Sequence, residues 1–187
     1  MVVLHQELLH YMGLKMSDLR FIKRVDLSTS ASSLSIEDVF TTDFNSYKVL
    51  FRDFRTASTT AENLYIQYIY PNGVKNIKGE YNTAVRYIQA TSGKQDFRST
   101  NATSSLVGTA DQEPESSGIT VTVFNPMKTT AFTNHIIHST SGGTGQGIVH
   151  MGVGGMETQD VVSGICIYPA SGSIDKGTII VYGYAEE

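Results

Sequence analysis

The chain is predicted to fold as an all-β sandwich, on three observations. Beyond residue 36, apolar and polar residues alternate with the period of two that places one strand face on a core and the other in water. Groups of Gly, Pro, Asn and Ser interrupt these stretches at the short intervals expected of a sandwich. The 187 residues are 40% hydrophobic but only 17% charged, so Ser, Thr, Gly, Asn and Tyr carry the surface. That length suits one domain with appendages.

Residues 1 to about 24 break the pattern. Leu4, Leu8 and Met12 recur every four residues and Gly13 follows as a stop, which predicts a short amphipathic helix. A second helix is expected from Ser17, with Asp18 in its first turn and Leu19, Ile22 and Val25 on one side. Helices this short are marginal alone in water. They need a surface, either another protein or their own sandwich. Arg20, Lys23 and Arg24 add a basic cluster, read as a solvated or partner-facing arm. We therefore divide the chain into a helical or extended docking arm over 1–35 and a β-sandwich over 36–187.

The strands follow in order. Tyr47, Val49 and Phe51 alternate with Lys48 and Arg52. Leu64, Ile66, Tyr68 and Tyr70 form the next run, closed by Pro71-Asn72-Gly73, a tight-turn sequence. Ala84 to Ala90 is another strand. Thr91 to Gly118 is polar and hydroxyl-rich, either a long loop or a pair of short edge strands. Ile119, Val121 and Val123 alternate cleanly up to Phe124-Asn125-Pro126. Ala131–His138 and Gly147–Val153 supply two more strands, and Ile165–Tyr168 with Thr178–Tyr184 form a closing hairpin. In that hairpin Ile165, Ile167, Ile180 and Tyr182 are expected to face the core.

No residue group asks for a catalytic, metal-binding or cofactor role. The Gly-rich stretch 141–147 lacks the Lys-Ser/Thr or Gly-x-Gly-x-x-Gly pattern of a phosphate loop, and strand follows it. Gly143, Gly145 and Gln146 read instead as a hairpin tip or contact loop. Asp111 and Glu113 head a small acidic cluster without the alternating spacing of a calcium loop, so they read as a solvated contact loop. His135 and His138, three apart, fall on opposite faces of a strand. Glu62, Glu80, Asp96 and Asp160 form no recognisable glycosidase pair. The single cysteine, Cys166, reads as a small core residue. A net charge of −4 argues against a general grip on nucleic acid. No apolar run is long enough to span a membrane and Met1-Val-Val-Leu opens no signal peptide, so synthesis in the cytosol is expected.

The ordered motifs carry a resemblance. Phe44 to Phe51, Asn63-Leu-Tyr-Ile-Gln-Tyr68, Val121-Thr-Val-Phe-Asn-Pro126, the Gly-rich stretch 142–155 and the hairpin Ile165 to Gly183 occur here in one order. That series resembles a β-sandwich module of tailed-bacteriophage virion proteins: tail fibres, tail-tip proteins and capsid decorations. The resemblance implies a jelly-roll-like antiparallel sandwich, with no fixed catalytic residues to carry over. It implies a non-enzymatic peripheral subunit of the virion, assembled in the host cytoplasm, with a fibre or tail-tip role favoured over capsid decoration. The expected partners are other virion proteins, further copies of the chain as a trimer, and a host surface glycan or receptor. A carbohydrate-binding module and a small glycan hydrolase are the rival classes. The absence of Trp counts against the first, the scattered acids against the second.

Overall fold

The structure, a computed structural model, describes residues 19–110, 117–143 and 146–185. These form twelve strands: β1 Leu19–Asp26, β2 Leu34–Ile36, β3 Ser46–Thr56, β4 Glu62–Ile69, β5 Tyr81–Gln89, β6 Gly93–Ala102, β7 Ser105–Ala110, β8 Ser117–Phe124, β9 Asn134–Gly143, β10 Gln146–Met156, β11 Gly164–Pro169 and β12 Ile174–Tyr184. They pair antiparallel in two sheets. One has eight strands in the order β1-β12-β3-β8-β9-β10-β5-β6, the other four in the order β2-β11-β4-β7.

The alternation read from the sequence builds the core. Tyr47, Val49 and Phe51 of β3, Ile119, Val121 and Val123 of β8, and Ile179 and Val181 of β12 point inward from the large sheet. Leu64, Ile66 and Tyr68 of β4, with Ile165 and Ile167 of β11, meet them from the small one. Each fully buried aliphatic or aromatic side chain contributes about 1.5–3 kcal/mol. Tyr47 also pins the β2–β3 connection: its hydroxyl donates to the Thr41 carbonyl (2.6 Å) and accepts from the Thr41 amide (2.7 Å). One buried ring thus fixes a loop that has no ladder of its own.

One expectation is corrected. Leu19–Asp26 is not a helix but strand β1, paired with β12 from Leu19↔Tyr184 to Asp26↔Thr178 with a one-residue shift between Phe21 and Lys23. Ile22 and Val25 pack against the core from this strand, and Phe21 meets the Tyr182 ring edge-on at 5.9 Å. Tertiary pairing has overridden a weak local periodicity. Leu4, Leu8 and Met12, the other half of the helical expectation, lie outside the described residues. Of the two readings of the hydroxyl-rich stretch after residue 91, the pair of edge strands is the one observed. β6 borders the large sheet and β7 the small one.

The large sheet outruns the small one. β9, β10 and β5 continue it, β7 packs against their inner faces, and β6 lies outermost. Here the buried layer turns polar, with Thr83, Ser105, His135, Ser139 and His150 all under 6% exposed.

Candidate functional site

Two features stand out where the large sheet extends past its partner. The first is its outer face. In β10 the even-numbered residues point inward, and Ile148 and His150 are buried there. Gly154 occupies the same face: a Cβ on it would lie 2.5 Å from His135 Nε2 and 2.8 Å from Ser105 Oγ, so no side chain fits. The odd-numbered residues therefore look outward, and Val149, Met151 and Val153 are 41%, 46% and 55% exposed. Val153 sits opposite Ile136 of β9 and Ala84 of β5. Phe132 and Ile88 are exposed nearby.

Together these residues make an apolar strip that contains a groove of about 640 Å3. Phe124, Phe132, Ile136 and Val153 line its floor, with Asn82, Asn134, Arg98, Thr100 and Glu157 around them. Asn82 donates from its amide to the Glu157 carboxylate and accepts from the Asn101 amide at 3.2 Å. An apolar floor with a fixed amide and carboxylate and a nearby guanidinium suits a binding site, and exposed apolar strips of this kind mark contact surfaces.

The second feature is a buried polar seam behind that face. Tyr68 Oη lies 2.9 Å from His135 Nδ1, and Ser105 Oγ 2.9 Å from His135 Nε2. Thr83 Oγ1 extends the chain to Ser105 at 2.8 Å. Tyr81 Oη accepts from the Tyr68 amide at 2.7 Å, and the two tyrosine rings stack with centroids 6.0 Å apart. A neutral imidazole donates from one nitrogen and accepts at the other, so both His135 nitrogens are satisfied. Burial pushes the His135 pKa down to about 3 and the Tyr68 and Tyr81 hydroxyls above their ordinary range. His150 repeats the theme: Ser139 Oγ lies 3.0 Å from its Nδ1, Tyr87 lies over its ring, and burial brings its pKa down to about 4. Ser105 and His135 have the contact of a nucleophile and its base, but they are 0% and 1% exposed and occupied by neighbours. The seam is a structural clamp that holds β4, β5, β7 and β9 together.

The residues singled out from the sequence are scattered. Arg20, Lys23 and Arg24 lie on β1, where Arg24 pairs with Asp26 at 2.7 Å and Lys23 Nζ donates to the Glu37 carbonyl at 2.8 Å. Asp111, Glu113 and Gly145 fall outside the described residues. Gly143 and Gln146 face each other at the closed end of the β9–β10 hairpin. Ile165 and Ile167 are fully buried. On β12 the inward positions belong to Ile179 and Val181, while Ile180 lies on the opposite face at 6% exposure and Tyr182 is half-buried. His135 is buried and His138 exposed, on opposite faces of β9. Cys166 is a buried free thiol. Asp160 accepts from Tyr70 Oη at 3.1 Å and pairs with Lys78 at 3.4 Å. Among the described residues no three His, Cys, Asp or Glu converge as metal ligands, and no helix is long and apolar enough to cross a membrane.

The outer apolar strip was not singled out in the sequence. Its signal was there: in 149–155, Val and Met alternate with glycine or histidine, which hands the bulky residues to one face. No family model, curated protein or solved structure matches this chain.

Proposed function

We propose that the chain is a binding and assembly subunit, a peripheral virion protein of a tailed phage that works without catalysis. The observation that carries this reading is the exposed apolar strip of Ile136, Val149, Met151 and Val153 with its groove, on a rigid sheet clamped from behind. A large apolar surface on one face needs a partner to cover it. The strand order adds support. β1-β12-β3-β8 against β2-β11-β4-β7 is the arrangement of an eight-stranded jelly roll, with β5–β6 and β9–β10 as hairpin insertions that widen one sheet. Jelly rolls recur in viral shells and in lectins. Fold alone does not fix function, so the weight rests on the face. Within this reading a fibre or tail-tip position is preferred to capsid decoration, and the partners are other virion proteins, copies of the chain and a host surface glycan or receptor.

The test is to place a charge on the strip. Met151→Lys and Val153→Lys, both at exposed positions, are expected to keep the fold and melting temperature of the parent while incorporation into particles drops at least tenfold. Undiminished incorporation by both variants would refute the reading. A hydrolase would instead release oligosaccharides from host surface polysaccharide, and lose that activity when Asp160 is changed.

A further inference from the structure

The outermost strand of the large sheet, β6, has one side paired to β5 in the register Val85↔Phe97, Arg86↔Asp96 and Ala84↔Arg98. Its other side has no strand partner among the described residues. From Gly93 to Ser99, before the irregularity at Asn101, this open edge displays a row of unpaired amides and carbonyls, and proteins normally cover or blunt it. What β6 presents there is Lys94, Asp96 and Arg98 on the outer face, with Phe97 half-buried on the inner one.

Asp96 is already held by Arg86, Nε to Oδ1 at 2.7 Å and Nη2 to Oδ2 at 2.9 Å. The Arg86 guanidinium keeps its carboxyl below the ordinary range. Across the ladder Arg98 faces Ala84; it makes no close ion pair among the described residues, though its charge also acts on Asp96 two residues away. An exposed guanidinium therefore stands two residues from a carboxylate, along an open strand.

We propose that two copies of this chain pair antiparallel along β6, about a two-fold axis at Phe97. In that register Asp96 of each copy faces Arg98 of the other, Gln95 faces Ser99, and the two Phe97 side chains meet on the inner face. Arg98 gains a carboxylate directly across the strand, and each Asp96 lies between Arg86 of its own chain and Arg98 of the second. Opposite charges directly across an antiparallel pair attract, and an aromatic pair adds to them. The neighbouring registers of the same facing are worse. A shift one way sets Asp96 against Asp96 and Lys94 against Arg98; a shift the other way sets Arg98 against Arg98. The charges therefore select one register and resist the others. The result is an isologous contact, closed by two copies. It is two-fold, where a trimer stood among the expected partners. It joins the two eight-stranded sheets edge to edge.

The contact rests on edge geometry and is independent of the virion reading. A chain that pairs but never joins particles refutes that reading and leaves the contact standing; a monomer that joins particles does the reverse. Light scattering on the full chain at about 100 µM is expected to give twice the chain mass of 20.4 kDa. Asp96→Arg sets cation against cation across the axis and Arg98→Glu sets carboxylate against carboxylate, so each variant alone is expected to be monomeric. Mixed in equal amounts they are expected to form a heterodimer, because every facing pair is again opposite in sign. Circular dichroism of each variant establishes that it is folded, and both sites are exposed. A parent that is monomeric or trimeric overturns the proposal. So do single variants that remain dimeric, or folded variants whose mixture stays monomeric.

Discussion

Acid should loosen this fold through His135, and the size of the effect follows from the structure. The ring is buried between β4, β7 and β9, its two nitrogens taken by Tyr68 and Ser105. Burial lowers its pKa to about 3, against an ordinary value of about 6.5. Below about pH 6.5 the unfolded chain gains a proton that the folded chain refuses. Stability is therefore complete above pH 6.5 and falls by about 1.4 kcal/mol per pH unit down to about pH 3. At pH 5, about 1.5 units below the unfolded value, this one group costs about 2 kcal/mol. His150 acts in the same direction down to about pH 4. The assay is urea unfolding of the parent and of His135→Gln at pH 7.5 and pH 5. The variant is expected to be less stable at pH 7.5, yet to lose about 2 kcal/mol less on acidification. Asp26 and Asp96, held below the ordinary carboxylate range by Arg24 and Arg86, stay charged across this window in both chains. His135→Phe serves as a second neutral replacement. Equal losses in parent and both variants would refute the assignment of His135 as a ring kept uncharged in the core.

Three further outcomes are expected. Removal of residues 1–18 should leave a folded β-domain with near-parental melting, whereas removal through Asp26 strips β1 from β12, exposes Tyr182 and yields insoluble protein; solubility and circular dichroism decide. Ile179→Ala should cost about 2–5 kcal/mol, as for a buried aliphatic in a close-packed core; Ile180→Ala, on the opposite face against Arg24 and Leu50, should cost about 1 kcal/mol in denaturant titrations. Gly154→Ala forces a methyl into the His135–Ser105 hydrogen bond and should lower stability by about 1–3 kcal/mol, with a matching drop in melting temperature.

The strands with clean alternation were legible in the sequence: β3, β4 and β8 appear where Tyr47, Leu64 and Ile119 head their apolar rows. β1 was not, because Leu19, Ile22 and Val25 also fit a helical period and only the edge of β12 decides between them. The facing of β12 was ambiguous for a different reason. Ile179, Ile180 and Val181 are all apolar, so alternation gives no phase. Thr178 and Tyr182 fall with Ile180, on the face away from the core. For β6 and β7 the sequence left strands and loop open, because one borders water and the other joins a polar seam, so neither shows a clean apolar row. That seam could not be read from sequence at all. Tyr68, Ser105 and His135 lie 37 and 30 residues apart along the chain and meet only through sheet packing. The outer strip of β10 was legible in principle, since glycines at 152 and 154 leave Met151 and Val153 nowhere to go but outward.

The central claim is that this chain is a building and binding part of a particle. The most direct measurement is negative-stain imaging of purified particles labelled with an antibody raised against the folded chain. The account predicts label at a fixed peripheral position, at the tail tip or fibres in preference to the capsid surface, and loss of that label when Met151→Lys replaces the parent. Particles that are complete and infectious yet carry no label would contradict it.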